Sequence, residues 1–106
     1  MPELDGLKAK LQASSGSDKA IDAAIAARFA VPPADYTASV EACRTLVGSV
    51  LTGWRLHIGW GVSGLFPYAT LGNGETRAAA EAPTVPLAIL RALLAAVEQT
   101  EPAKAP

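Results

Sequence analysis

The chain has 106 residues, of which 50% are hydrophobic and 18% charged, the composition of one globular domain and not of a disordered or multidomain chain. Nine basic residues against ten acidic ones leave a formal charge of -1 with no basic block, so the electrostatic footprint of a typical nucleic-acid binder is missing. No apolar run approaches the roughly 20 residues of a membrane span, the opening MPELDGLKAKLQASS lacks the apolar core of a secretion signal, and the lone Cys43 excludes an internal disulfide; the expected setting is a reducing cytoplasm.

Residues 1–17 read as a flexible or short amphipathic arm, in which Leu4, Leu7 and Leu11 have helical spacing and Ser14-Ser15-Gly16-Ser17 forms a polar linker. Such an arm is expected to be loosely held or to pack on a neighbour. A single domain then spans 18–99. Its first helix is predicted over Asp18 to Ala30, capped by Ser17 or Asp18, with Ile21, Ala24, Ile25 and Phe29 on one face and Pro32-Pro33 as the stop. A second helix is predicted from Asp35 or Tyr36, where Asp35 can accept from first-turn amides, and Val40, Cys43, Val47 and Val50 share its apolar face.

From Trp54 the period changes to two. Trp54, Leu56, Ile58 and Trp60 fall on one parity and Arg55, His57 and Gly59 on the other, as in a half-buried strand. Leu65 to Leu71 reads as a second strand, Asn73-Gly74 as the dipeptide of a tight hairpin turn, and Glu75 to Glu81 as the returning strand. The last helix is capped by Thr84, tolerates Pro86 in its first turn, and carries a stripe of Leu87, Leu90, Leu94 and Val97 widened by Ile89 and Leu93. Residues 100–106 are expected to be a disordered tail. The predicted architecture is α+β, a three-stranded antiparallel meander packed by helices in the order α-α-β-β-β-α.

Few residues invite chemistry. Gly59-Trp60-Gly61-Val62-Ser63-Gly64 matches the spacing of a dinucleotide-binding loop, with Glu81 downstream, but the residues after it, Leu65-Phe66-Pro67-Tyr68, read as strand. Without a helix to aim free amides at a pyrophosphate, a hairpin turn is the better reading and no cofactor is expected. His57 is the only histidine, so a multi-histidine metal site is impossible, and it is expected on the polar sheet face beside Arg55. Cys43 sits on an apolar helical face and is expected to be buried and inert. No catalytic or metal-binding residue is expected. The candidate interaction surface is Arg55, His57, Arg77, Trp60 and Tyr68, the aromatics either filling the core or forming a stacking platform.

The helix opening Pro33-x-Asp35-Tyr36-Thr37-x-Ser39, the Trp54 to Trp60 strand, and above all Ala82-Pro83-Thr84-Val85-Pro86-Leu87-Ala88-Ile89-Leu90-Arg91-Ala92 resemble the phage ABA-sandwich proteins, small proteins encoded by phages and prophages. The resemblance covers roughly Ile21 to Val97 and is most specific in the C-terminal segment, whereas the helix opening departs from the family in having Asp35 before Tyr36. It implies a helix, a β-meander and a C-terminal helix in a protein of phage or prophage origin, and transfers no catalytic residue. The functional expectation is an accessory protein acting by protein binding or self-association. The alternative is a nucleic-acid-associated regulator using Arg55, His57 and Arg77 on the polar sheet face, and a small enzyme requires His57 in a cleft with a carboxylate.

Overall fold

The computed structural model describes residues 2–61 and 64–100. Helices α1 (Pro2–Ala13), α2 (Lys19–Phe29) and α3 (Val40–Val50) precede strands β1 (Arg55–Trp60), β2 (Pro67–Gly72) and β3 (Arg77–Glu81), and α4 (Val85–Thr100) follows. The class is α+β and the sheet is an antiparallel meander of order β1-β2-β3, as the sequence predicts. The order of elements is α-α-α-β-β-β-α, one helix more than expected. Residues 101–106, read as a tail, lie outside the described residues, as does the side chain of Leu4.

The extra helix is the N-terminal arm, and three interactions hold it down. Leu7 and Leu11 are buried in the common core, Lys8 pairs with Glu98 at 2.8 Å, and the Arg91 guanidinium donates to the carbonyls of Leu11 (3.0 Å) and Gln12 (3.1 Å). The last contact satisfies carbonyls that a helix C-terminus leaves free. A segment that is only weakly amphipathic by itself is therefore fixed by what α4 presents to it.

Asp18 caps α2, accepting from the amides of Ala20 (2.9 Å) and Ile21 (3.3 Å). The helix ends at Ala30, which takes a left-handed conformation (φ 54°) with no glycine to relieve it. Contrary to the sequence expectation, Asp35 and Tyr36 do not begin a helix; residues Asp35 to Ala38 form a turn closed by the Ala38 amide on the Asp35 carbonyl (2.9 Å). Ser39 is the cap of α3 and accepts from the Ala42 amide at 3.0 Å. Asp35 loses that role because Thr37 is spent on tertiary bonds to Asp22 of α2, while the Tyr36 hydroxyl donates locally to the Pro32 carbonyl.

In the sheet, Leu56 pairs with Leu71, Ile58 with Ala69, and Leu71 with Ala78, so these side chains share the face that meets the helices. The second strand starts at Pro67, two residues later than predicted, as suits a proline at a strand start. In the hairpin turn the central pair is Gly74-Glu75, not Asn73-Gly74. Gly74 takes φ 96°, whereas Asn73 accepts from the Glu75 and Thr76 amides through its side chain.

Helix α4 is the centre of the core. It lies across β2 and β3, and α1 and α3 cover its other side. Leu87, Ile89, Leu90, Leu93, Leu94 and Val97 are all buried, and so are Ala88, Ala92 and Ala96 between them. A helix buried all round needs small residues where neighbours approach closely, and the alanines supply them. At about 1.5–3 kcal/mol for each large aliphatic side chain removed from water, α4 makes the largest single apolar contribution.

Candidate functional site

Because side chains alternate, the face of the sheet away from the helices carries three rows: Arg55, Gly72 and Arg77; His57, Thr70 and Ala79; Gly59, Tyr68 and Glu81. Four of the five candidate residues, Arg55, His57, Arg77 and Tyr68, therefore meet on one surface. Trp60 does not. Its parity is that of Leu56 and Ile58, and it stands at the end of β1.

Only glycine separates the two arginines across the first row, and with His57, Thr70 and the Gly74–Thr76 turn they line an open depression of about 340 Å³. Both arginines are exposed, and neither guanidinium has a hydrogen bond or ion pair among the described residues. His57 is also exposed, with the Tyr68 ring 6.2 Å away and tilted by 33°. That ring lies over Gly59 so closely that a Cβ there would sit 2.9 Å from it. No hydrogen bond joins His57 to a carboxylate among the described residues. The Glu81 carboxylate lies further along the same face and occupies the space that a Cβ on Gly61 would take.

A second exposed feature is apolar. At the β1–β2 turn Trp60 is 65%, Leu65 72% and Phe66 43% exposed, while Trp54 is half-buried against the core. The aromatics thus divide: Trp54 packs inward, Trp60 and Phe66 stand outside, and Tyr68 covers the polar face. Leu65 and Phe66 were assigned to a strand by sequence, and Pro67 directly after them is the signal that places them before it. The glycines around this turn do not lead into a helix. Gly61 donates to the Phe66 carbonyl (2.8 Å), Gly64 has φ 76°, and the chain enters β2. Val62 and Ser63 of that motif lie outside the described residues.

The buried polar groups are structural. Asp22 is 8% exposed and accepts from both the amide and the hydroxyl of Thr37, each at 2.7 Å, and the Thr37 oxygen in turn accepts from the Asp18 amide at 2.7 Å. Cys43 is buried, as expected, and its thiol lies 2.9 Å from the Tyr36 carbonyl. Burial, with a smaller effect of the Asp22 charge, pushes that thiol up to about 12, so it stays protonated and unreactive at neutral pH. Burial likewise raises Tyr36, with Cys43 and Asp22 adding to it.

Comparison with protein-family models, with curated proteins and with solved structures finds no match. The surface itself is therefore the basis for a functional reading: an open basic and aromatic face, an apolar turn, and no grouping of three or more metal-ligating side chains among the described residues.

Proposed function

We propose that this domain is a non-enzymatic accessory protein, of phage or prophage type, that acts by binding another protein through the Trp60 end of its sheet. One observation carries the reading: of the four exposed large apolar side chains among the described residues, three, Trp60, Leu65 and Phe66, lie at the one β1–β2 turn, the fourth being Val40 at the start of α3. A tryptophan held on a strand end loses little conformational freedom on binding, and buried aromatic anchors supply much of the energy of protein interfaces. The test is affinity capture from a bacterial lysate with the wild-type domain and with Trp60→Ser/Phe66→Ser. A partner kept by the first and lost by the second is expected; identical retained proteins refute the reading.

A second reading has its own observation, the two arginines flanking Gly72 beside His57 and Tyr68, neither with an ion pair among the described residues. They suit a phosphate backbone with a base stacked on Tyr68. Binding of a labelled single-stranded oligonucleotide that weakens steeply with salt, and falls with Arg55→Ala/Arg77→Ala, is its expected result. No binding at low ionic strength eliminates it.

A further inference from the structure

The two edges of the sheet are unequal. Hydrogen bonds at the ends of the ladders fix which backbone groups point where. The Gly61 amide donates to the Phe66 carbonyl (2.8 Å), so Arg55, His57, Gly59 and Gly61 face β2, and the amides and carbonyls of Leu56, Ile58 and Trp60 face outward. On the other side, the Ala82 amide donates to the Pro67 carbonyl (3.2 Å), so Arg77, Ala79 and Glu81 turn their groups to the outer edge of β3. That edge is capped from α4: Gln99 donates to the Arg77 carbonyl (3.2 Å) and Arg91 to the Glu81 carbonyl (2.9 Å). No such cap covers β1 among the described residues, and α4 packs on β2 and β3 without comparable cover of β1. A six-residue edge with one formal charge and no proline is what folded proteins ordinarily shield.

We infer that the occupant of this edge is a second copy of the chain, pairing β1 with β1 antiparallel about Ile58 to give one continuous six-stranded sheet. It rests on the protein-binding reading and names the partner. Three features select the second copy and this register. A two-fold axis at Ile58 sets the outward-facing residues of each strand against one another, Ile58 opposite Ile58 and Leu56 opposite Trp60, so the free amides and carbonyls all meet in hydrogen-bonded pairs. The half-buried Leu56 and Ile58 and the exposed Trp60 then lie apolar against apolar on the helix-side face. On the opposite face the same register places Arg55 of one copy across from Gly61 of the other, over which the Glu81 carboxylate lies. Neither charge has an ion-pair partner within its own chain among the described residues, and the pairing supplies one in each direction. The axis one residue earlier, at His57, instead opposes the two histidines and engages the Trp54 amide, already bonded to Leu51 at 3.1 Å.

The experiment is sedimentation of the purified wild-type chain over a concentration series, together with residue-resolved amide exchange. The expected result is a species of twice 10.9 kDa, in which the Leu56, Ile58 and Trp60 amides gain protection as concentration rises while His57 and Gly59 are protected throughout. Arg55→Glu is expected to weaken the dimer by at least about tenfold, and Arg55→Glu/Glu81→Arg to restore it. A chain that stays monomeric overturns the proposal, as does a dimer whose Leu56, Ile58 and Trp60 amides exchange freely or whose charge reversal is not rescued. Loss of a foreign partner on Trp60→Ser in a chain that stays monomeric overturns self-pairing alone and leaves the protein-binding reading standing.

Discussion

Thr37→Val is the most informative single change, because it removes one oxygen and leaves the shape of the side chain nearly intact. Thr37 is fully buried, and its one hydroxyl proton goes to Asp22, the nearer acceptor at 2.7 Å against 3.3 Å for the Asp18 carbonyl. The same oxygen accepts from the Asp18 amide at 2.7 Å. Valine deletes a hydrogen bond to a carboxylate, about 1.5–3 kcal/mol, and strands a part-buried amide at about 1 kcal/mol more, offset by the extra methyl; the net cost is about 2–4 kcal/mol. For a domain of this size that lowers Tm by roughly 10–25 °C. Urea and thermal unfolding followed by circular dichroism measure it, with Thr37→Ser as control. Serine keeps both bonds and loses one methyl, so it should cost only about 1 kcal/mol. If valine is tolerated within about 0.5 kcal/mol, or serine is as harmful as valine, the hydroxyl does not latch α2 to the entry of α3 and the reasoning is wrong.

Three further outcomes are expected. Ala30→Gly should stabilise the domain by up to about 1 kcal/mol in urea unfolding, because glycine removes the Cβ penalty of the left-handed C-terminal residue of α2, less the entropy it adds to the unfolded chain. Arg91→Met should cost about 2–4 kcal/mol and raise exchange of the α1 amides before those of α4, since the guanidinium ties the carbonyls of Leu11, Gln12 and Glu81 together; desolvation lowers the pKa of this group, so its bonds are made at some cost in hydration. The Cys43 thiol titrates from 9.0 in the unfolded chain but only near 12 in the fold, so the unfolded chain loses its proton first. Stability from this group is complete below pH 9.0 and declines through the window up to about 12, by up to about 1.4 kcal/mol per pH unit. Tyr36 adds the same sign above 10.0. Comparing the alkaline slope of unfolding free energy with that of Cys43→Ala isolates the thiol, and equal slopes refute the assignment.

Much of the architecture is legible from local pattern. The parity of Leu56 and Ile58 against Arg55 and His57, the turn chemistry around Asn73, and the Thr84 cap, which accepts from the Leu87 amide at 3.3 Å, each depend on residues a few positions apart. Arg55 and His57 share a face by the same local alternation, but Tyr68 joins them only through the register of β1 on β2, and the sequence leaves it open between core and surface. The misread points are those where a residue's partner is remote. Asp35 looks like a helix cap until Thr37, 15 residues from Asp22, draws the segment into a turn. Trp60 has the parity of a core residue, but α4 does not extend its cover to β1. Leu7 and Leu11 pack in a core shared with remote segments, and Arg91, 80 residues from Leu11, bonds the end of their helix.

The amino-acid order alone therefore determined most of the elements after the N-terminal arm, the alternation of the sheet and the apolar mass of the last helix, because hydrophobic period, capping and turn propensity act over a few residues. Only the tertiary structure decided which surfaces those elements leave open. Gln99 and Arg91 close the edge of β3 from a helix that lies across β2 and β3, and the same placement leaves, among the described residues, the outward backbone groups of β1 unpaired, the Trp60 end in solvent and Arg55 and Arg77 without counter-charges. Local alternation sets which side of a strand is polar, but whether an apolar side chain or a strand edge is covered depends on where distant segments come to rest.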